Sequence, residues 1–191
     1  MPLTGYIAPD VEVPRDTQIG YGVILHSGTH LGAHVIIRDY AIIGGLSFSL
    51  KKESQGWVTK PHIGGVVIGD NVTISQRVTV HKGFTGDTVI GKGSIVNTHS
   101  VIGHDVHIGK RCQINADVYL AGHVHVGDDV VIEPRATVQH RVTIGNGAHI
   151  GMAALVMKDV APNEVVLGHP AIPQRDYRNM RKTMRSLKLI P

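Results

Sequence analysis

An aliphatic residue recurs every six positions through most of this chain. Ile7, Val13, Ile19, Leu25, Leu31, Ile37 and Ile43 fall in register, and Ile68, Ile74 and Val80 resume the count. Ile90 then starts a run that reaches Val156 without a slip, so that 22 such positions are all Ile, Leu or Val. The place four residues further on is also restricted. It holds mostly Val, Ala, Ser or Thr, with Cys112 once and Phe84 as the one large residue. The whole column, Ser47 and Phe84 included, is expected to face a tight interior. A period of six does not fit a helix of 3.6 residues per turn. It suits short strands separated by turns and wound into a parallel β-helix, three hexads to a coil of about 18 residues. The 22 hexads then give about seven coils, each rising by about 4.8 Å, the spacing of paired strands.

Composition agrees with narrow, regular layers. Aromatic residues make up only 4% of the 191, whereas there are 23 glycines. No apolar run approaches the roughly 18–20 residues needed to span a membrane. The start, MPLTGYIAPD, lacks the basic and apolar segments of a signal peptide. A single cysteine rules out an internal disulfide framework and fits a reducing, cytoplasmic setting. The net charge of +4 is concentrated at the end, where residues 175–191 carry six cations against Asp176. No interleaved aromatics or nucleic-acid motif accompany them, so no nucleic-acid partner is expected.

The repeat is interrupted twice. Residues 49–67 hold the only tryptophan, Trp57, and three lysines, Lys51, Lys52 and Lys60. An excursion of this length in so regular a repeat reads as functional. The second break is GDTV (86–89), before Ile90 restarts the count. Two regions follow: a β-helix over 1–165 with an inserted loop at 49–67, and a C-terminal turn and basic amphipathic helix over 166–191. In the latter, Tyr177, Met180, Met184 and Leu187 form one stripe at helical spacing. That stripe is expected to dock on the end or side of the prism.

Counting hexads in threes puts Val80, Ile102, Leu120, Val138 and Val156 on one face, provided GDTV bulges outward. The third places of that face read Lys82, His104, Gly122, His140 and Lys158, and the fourth places Gly83, Asp105, His123, Arg141 and Asp159. With His81, one stripe collects four histidines beside Lys82 and Arg141. His104 and His140 lie two coils apart, about 9–10 Å by strand spacing, and Gly122 between them is expected to leave room for a ligand. An imidazole titrates near neutrality and can take a proton from an attacking amine or hydroxyl. Asp105 is a candidate to orient His104.

Several segments resemble known acyltransferases. SVIGHDVHIG (100–109) resembles the segment with the catalytic histidine in acyltransferases of lipid A biosynthesis. NADVYLAGHV (115–124) is similar to the next coil of the UDP-N-acetylglucosamine O-acyltransferases. GWVTKPHIGGVVIGDNVTI (56–74), GFTGDTVIGKGSI (83–95) and LGHPAIPQRDYRNMRKTMRSL (167–187) resemble UDP-3-O-acylglucosamine N-acyltransferase. The resemblance implies an all-β, left-handed parallel β-helix with a short C-terminal α-helix, assembled as a homotrimer. It implies transfer of an acyl group from acyl-CoA or acyl-acyl-carrier-protein to a sugar or nucleotide amino sugar, N-transfer being favoured over O-transfer. His104 would be the base, with Asp105 and His123 beside it in the catalytic group. His81, Lys82, His140, Arg141 and Trp57 would bind substrate, and Gly168, Pro170 and Ala171 would lie on the pantetheine path of the donor.

The sequence also departs from that family. The repeat begins at Ile7, so the nucleotide-binding domain that precedes it in the N-acyltransferases is expected to be absent. The family's acidic-Arg-Gly segment reads His81-Lys82-Gly83 here, and Asp105 stands where the N-acyltransferases often carry Asn. Two other readings compete. A γ-class carbonic anhydrase-like zinc enzyme would use His99 and His104, five apart, but the place of the third ligand holds Gly86 and His81 falls on another face than His99. No metal is therefore expected. A non-catalytic β-helix scaffold would need no histidine stripe at all.

Overall fold

The computed structural model describes residues 5–48 and 50–187. The hexads fold as short strands in three parallel sheets, the sides of a β-solenoid. The first sheet stacks eight strands from Tyr6–Ile7 to Leu155–Val156. Ile7, Leu25, Ile43, Val80, Ile102, Leu120, Val138 and Val156 lie one above another in it. The eighth level starts at Val156 and is closed by the C-terminal segment, one level beyond the seven complete coils counted in hexads. The second sheet runs from Gln18–Ile19 to Val165–Leu167 and ends on the antiparallel strand Ile172–Pro173. The third has six strands, from Thr29–Leu31 to Thr143–Ile144.

The interior is a column of aliphatic side chains. Leu25, Ile43, Val80, Ile102, Leu120 and Val138 are completely buried, and the matching residues of the other two sheets are buried as well from Ile37 onward, Ile19 and Leu31 being only partly covered. Each such side chain contributes about 1.5–3 kcal/mol on leaving water. Coils close at corners where one residue takes a positive φ. At one corner these residues are Asp105 (55°), His123 (61°) and Arg141 (64°). Non-glycine residues adopt this conformation at a cost. The solenoid accepts it at coil after coil, and it stacks the three side chains at the edge between the first and third sheets.

Both interruptions leave the three faces in phase. Val80 pairs with Ile102 on the first sheet and Ile90 with Ile108 on the third, so the four extra residues bulge at the corner between them. The bulge changes the expected interior. Thr88, two places before Ile90, fills the fifth-place position and is completely buried, and Phe84 turns out toward the surface. Val66 likewise replaces Ser47, which is only half-buried. The longer interruption forms an antiparallel hairpin of Leu50–Glu53 and Gly56–Thr59, with Trp57 opposite Lys52 and exposed. The C-terminal helix spans Gln174–Ser186. Of its stripe, Tyr177 and Met184 are half-buried and Met180 and Leu187 exposed, so the docking is shallow and buries no helix residue fully. Lys188 of the basic tail lies outside the described residues. Among those described, no helix is long and apolar enough to cross a membrane.

Candidate active site

The corner between the first and third sheets carries the side chains with chemistry. His104 follows the strand Val101–Ile102, and its Nδ1 lies 2.7 Å from Asp105 Oδ2. Asp105 is 6% exposed, the one acidic residue among the buried polar groups of the described chain. Its carboxylate is held by the bulge at the second interruption. Oδ1 accepts from the Thr85 N–H, the Thr85 hydroxyl and the Gly86 N–H, and Oδ2 accepts from the Phe84 N–H, all at 2.7–2.8 Å. Burial alone would raise the Asp105 pKa. The bonds from Thr85, His104 and the Phe84 amide overcome it and hold the carboxyl ionised, well below its usual range.

That charge sets the state of His104. An ionised carboxylate only accepts hydrogen bonds, so Nδ1 must carry the proton it shares with Asp105. The lone pair is then on Nε2, at the outer edge of a ring whose side chain is 23% exposed. The imidazole lies over Gly122, where a Cβ would come 2.5 Å from Nε2 and 2.6 Å from Cε1. This corrects one expectation: the missing side chain at Gly122 makes room for the His104 ring, not for a ligand between His104 and His140. The Gly122 N–H makes no hydrogen bond among the described residues.

One further expected residue, His123, packs on the dyad, and a second, His81, lies within electrostatic reach of it. The His123 ring meets that of His104 edge to face, with centroids 5.0 Å apart and planes at 87°. His123 Nε2 lies 4.0 Å from Asp105 Oδ2, beyond a hydrogen bond. Partial burial lowers the His123 pKa, Asp105 opposes that, and His104 and Arg141 reinforce it, so the ring is neutral at pH 7. Burial also lowers the pKa of His81, against the Gly45 and Leu46 carbonyls. The remaining expected residues are more dispersed. Lys82 turns toward the Ser27 carbonyl, with Nζ at 3.4 Å. His140 and Arg141 are exposed one coil above His123, and Trp57 projects on the exposed hairpin. Pro170 and Ala171 line a cavity of about 470 Å³ at the end of the solenoid with Val156, Met157, Lys158 and Glu164. Gly168 lies beside it, at φ 101° against the Tyr177 ring.

His104, Asp105 and His123 stand close enough to share a metal ion. Their bonding does not fit one. A carboxylate offers about four lone-pair sites, and Asp105 already takes five donors counting His104. Metal binding would also cost the proton on His104 Nδ1. The expected alternative zinc pair is not assembled either. His99 sits at a different corner, where its Nδ1 is 3.7 Å from Asp117. The Asp105 carboxylate fixes the His104 ring through Nδ1 and leaves Nε2 at the outer edge.

The model of the bacterial transferase hexapeptide (six repeats) matches residues 87–122 and 123–157, the coils that carry His104, Asp105 and His123. Over these coils the chain carries the bacterial transferase hexapeptide repeat. Two hexapeptide-repeat relatives bear the name UDP-3-O-acylglucosamine N-acyltransferase. The one from Caulobacter sp. (strain K31) is 37% identical over 147 residues, 77% of this chain and 43% of its own length. The one from Rhizobium meliloti (strain 1021) is 36% identical over 148 residues, 77% and 42% respectively. The chain thus spans less than half the length of these curated relatives. Among solved structures, LpxA from Acinetobacter baumannii superposes with a TM-score of 0.72 at 26% identity, over 94% of this chain and 76% of its own. UDP-N-acetylglucosamine O-acyltransferase from Moraxella catarrhalis gives 0.69 at 27%, over 96% and 75%.

The hexapeptide pattern itself points to what the sequence reading missed. Phe84, Thr85 and Gly86 fall where the repeat breaks, and a break in a strict repeat is the signal for them. His62 is the other omission. It lies on the return from the hairpin, and its ring meets His104 edge to face at 6.4 Å and Phe84 at 5.5 Å. Neither periodicity nor spacing singles it out, because it stands outside every hexad.

Proposed function

We propose that this chain transfers an acyl group from the thioester of acyl-CoA or an acyl carrier protein to the amine of a nucleotide-linked amino sugar. The observation that carries this reading is the His104–Asp105 pair clamped by residues 84–86, on a fold whose relatives are named as acyltransferases. His104 Nε2 accepts a proton from the amine as its nitrogen attacks the thioester carbonyl. The oxyanion of the tetrahedral intermediate takes the Gly122 N–H, the free amide beneath the imidazole. Collapse breaks the C–S bond, leaves the amide, and returns the proton from His104 to the departing thiolate. His123 and His81, both neutral, hold the acceptor or the thioester carbonyl.

Phosphates of either substrate meet cations that have no carboxylate partner among the described residues. Arg141 stands beside His123, and Lys60 Nζ lies 5.6 Å from the Phe84 ring centroid. His140 and Lys82 extend this surface above and below. Pro170 and Ala171, with Gly168 behind them, border the donor's path at the end cavity, and Trp57 reaches out to substrate from the hairpin. We place the enzyme in the cytoplasm as a homotrimer, without a metal. The test is thiol release from acyl-CoA and acyl-carrier-protein donors with UDP- and dTDP-linked amino sugars. Release that depends on the acceptor is expected; its absence with every donor and acceptor overturns the reading.

Gly122→Ala tests the placement of the base without touching it. Its Cβ would push the His104 ring outward, while the backbone of Gly122 is outside the left-handed region and adds no strain of its own for Ala. A misplacement of this order lowers kcat by roughly 10²-fold, and the melting temperature is expected to stay close to that of wild type. An equal kcat would show that the ring has no fixed working position.

A further inference from the structure

Among the described residues, four buried side-chain nitrogens or oxygens lack a hydrogen-bond partner. Two are hydroxyls, of Thr17 and Thr88. The other two are imidazole nitrogens, Nδ1 of His62 and Nδ1 of His81; the His62 ring meets His104 edge to face, and His81 lies within electrostatic reach of it. Groups left unmatched in this way at a functional site call for a ligand or water.

His62 is held firmly. Its Nε2 lies 2.7 Å from Ser47 Oγ, which ties together the two ends of the hairpin insertion. The Ile63 and Gly64 amides donate to the Phe84 and Gly83 carbonyls at 3.3 and 3.2 Å. The return segment is thereby joined to the bulge that grips Asp105. Gly64 has no room for a side chain, since a Cβ there would run into the Gly86 carbonyl. His62 therefore shares a frame with the base, its ring set edge to face against those of His104 and Phe84, with Nδ1 buried and unpaired.

We propose that His62 is an acceptor-recognition residue, and that its Nδ1 and that of His81 bind hydroxyl groups of the sugar ring next to the atom that is acylated. The inference rests on the acyl-transfer reading. A neutral imidazole nitrogen donates or accepts according to its tautomer, and a hydroxyl complements either state. A phosphate complements only the donor form, and the unpaired Lys60 and Arg141 already serve anions nearby. The Ser47 hydroxyl complements His62 Nε2 in either tautomer. Burial keeps His81 uncharged at pH 7. Two unpaired imidazole nitrogens near the base suit the polyol part of a nucleotide sugar rather than its diphosphate.

The test is equilibrium binding by calorimetry, without donor, of a UDP-linked amino sugar and its monodeoxy analogues. His62→Phe keeps the ring and its edge contacts with Phe84 and His104 but removes both nitrogens. His62→Gln keeps a donor and an acceptor and guards against misfolding of the first variant. Wild type is expected to bind one deoxy analogue about tenfold more weakly than the parent sugar. His62→Phe should bind the parent about tenfold more weakly and no longer distinguish it from that analogue, and His62→Gln should recover most of the loss. If wild type discriminates and His62→Phe discriminates equally, the inference is overturned while the acyl-transfer reading stands. If wild type binds none of the sugars, the acceptor reading falls and this inference with it.

Discussion

His104→Ala is expected to lower kcat by about 10²–10⁴-fold, the contribution of a positioned general base, and to leave the fold intact. The side chain is outside the aliphatic column, and the ladder around it is made by backbone groups: the His104 carbonyl accepts from the His123 N–H at 2.9 Å whatever the side chain is. Asp105 loses one of its five donors and keeps the four from residues 84–86. Stability should thus change by about 1 kcal/mol, the worth of one hydrogen bond. Acceptor-dependent thiol release and a thermal melt on the same preparation separate the two effects. A scaffold protein would show neither activity nor a difference between variants. Equal turnover by both proteins would mean that the amine needs no base from the chain.

The stacking of faces is legible in the sequence because a parallel solenoid repeats one physical constraint at every level. Each interior position must be an aliphatic side chain that fits between its neighbours above and below. The series Val80, Ile102, Leu120, Val138 and Val156 therefore reads off as one side of the prism, across an irregular corner, and places His104, Asp105 and His123 at one edge. The contents of that corner are not legible in the same way. Residues 83–86 lie outside the period, so assigning Phe84 to the interior by count puts it on the wrong side of the wall. Gly122 reads as an empty space because the count knows only heights along the prism. Which way the His104 ring leans depends on the Asp105 carboxylate, and that carboxylate is aimed by three successive amides no pattern announces.

The bulge explains why a strict repeat tolerates a break. Gly83 sits so close to the Gly86 carbonyl that a Cβ would overlap it, and its N–H donates to the Gly65 carbonyl at 3.0 Å. The turn is compact because it has glycines at its crowded points, and it curls its amides toward the coil above. A run of N–H groups pointing into one concavity is an anion site. Here the anion is supplied by the chain itself, one coil later. The four additional residues thus turn an ordinary corner aspartate into an ionised, immobile partner for the base.

Asp105→Ala is accordingly expected to combine a large loss of stability with a loss of activity. Removing the carboxylate leaves the Phe84, Thr85 and Gly86 amides and the Thr85 hydroxyl without their acceptor, and water reaches the exposed Thr85 and Gly86 to replace part of what is lost. Bonds to a charged acceptor are worth about 1.5–3 kcal/mol each, but their sum is reduced by relaxation of the turn. A net cost of about 3 kcal/mol follows, or roughly 6–12 °C in melting temperature for a chain of this size. The backbone is not the cause, since Ala153 takes φ 54° at a comparable corner of the same solenoid. Asp105→Asn keeps one oxygen for Thr85 and Gly86 and should cost about half as much. Its amide would donate to His104 Nδ1, move the imidazole proton to Nε2, and so block proton acceptance, lowering kcat by about 10²-fold or more. The pH dependence fixes the origin of the stability term. The Asp105 pKa is lowered in the folded chain, so its stabilisation is complete above the ordinary carboxylate pKa of about 4 and is lost as the pH falls toward the folded value. Denaturant melts at pH 7 should show the full gap between wild type and Asp105→Asn, and melts near pH 3 a smaller one. A gap that stays constant across that range would mean that the turn is held by shape rather than by the charge of Asp105.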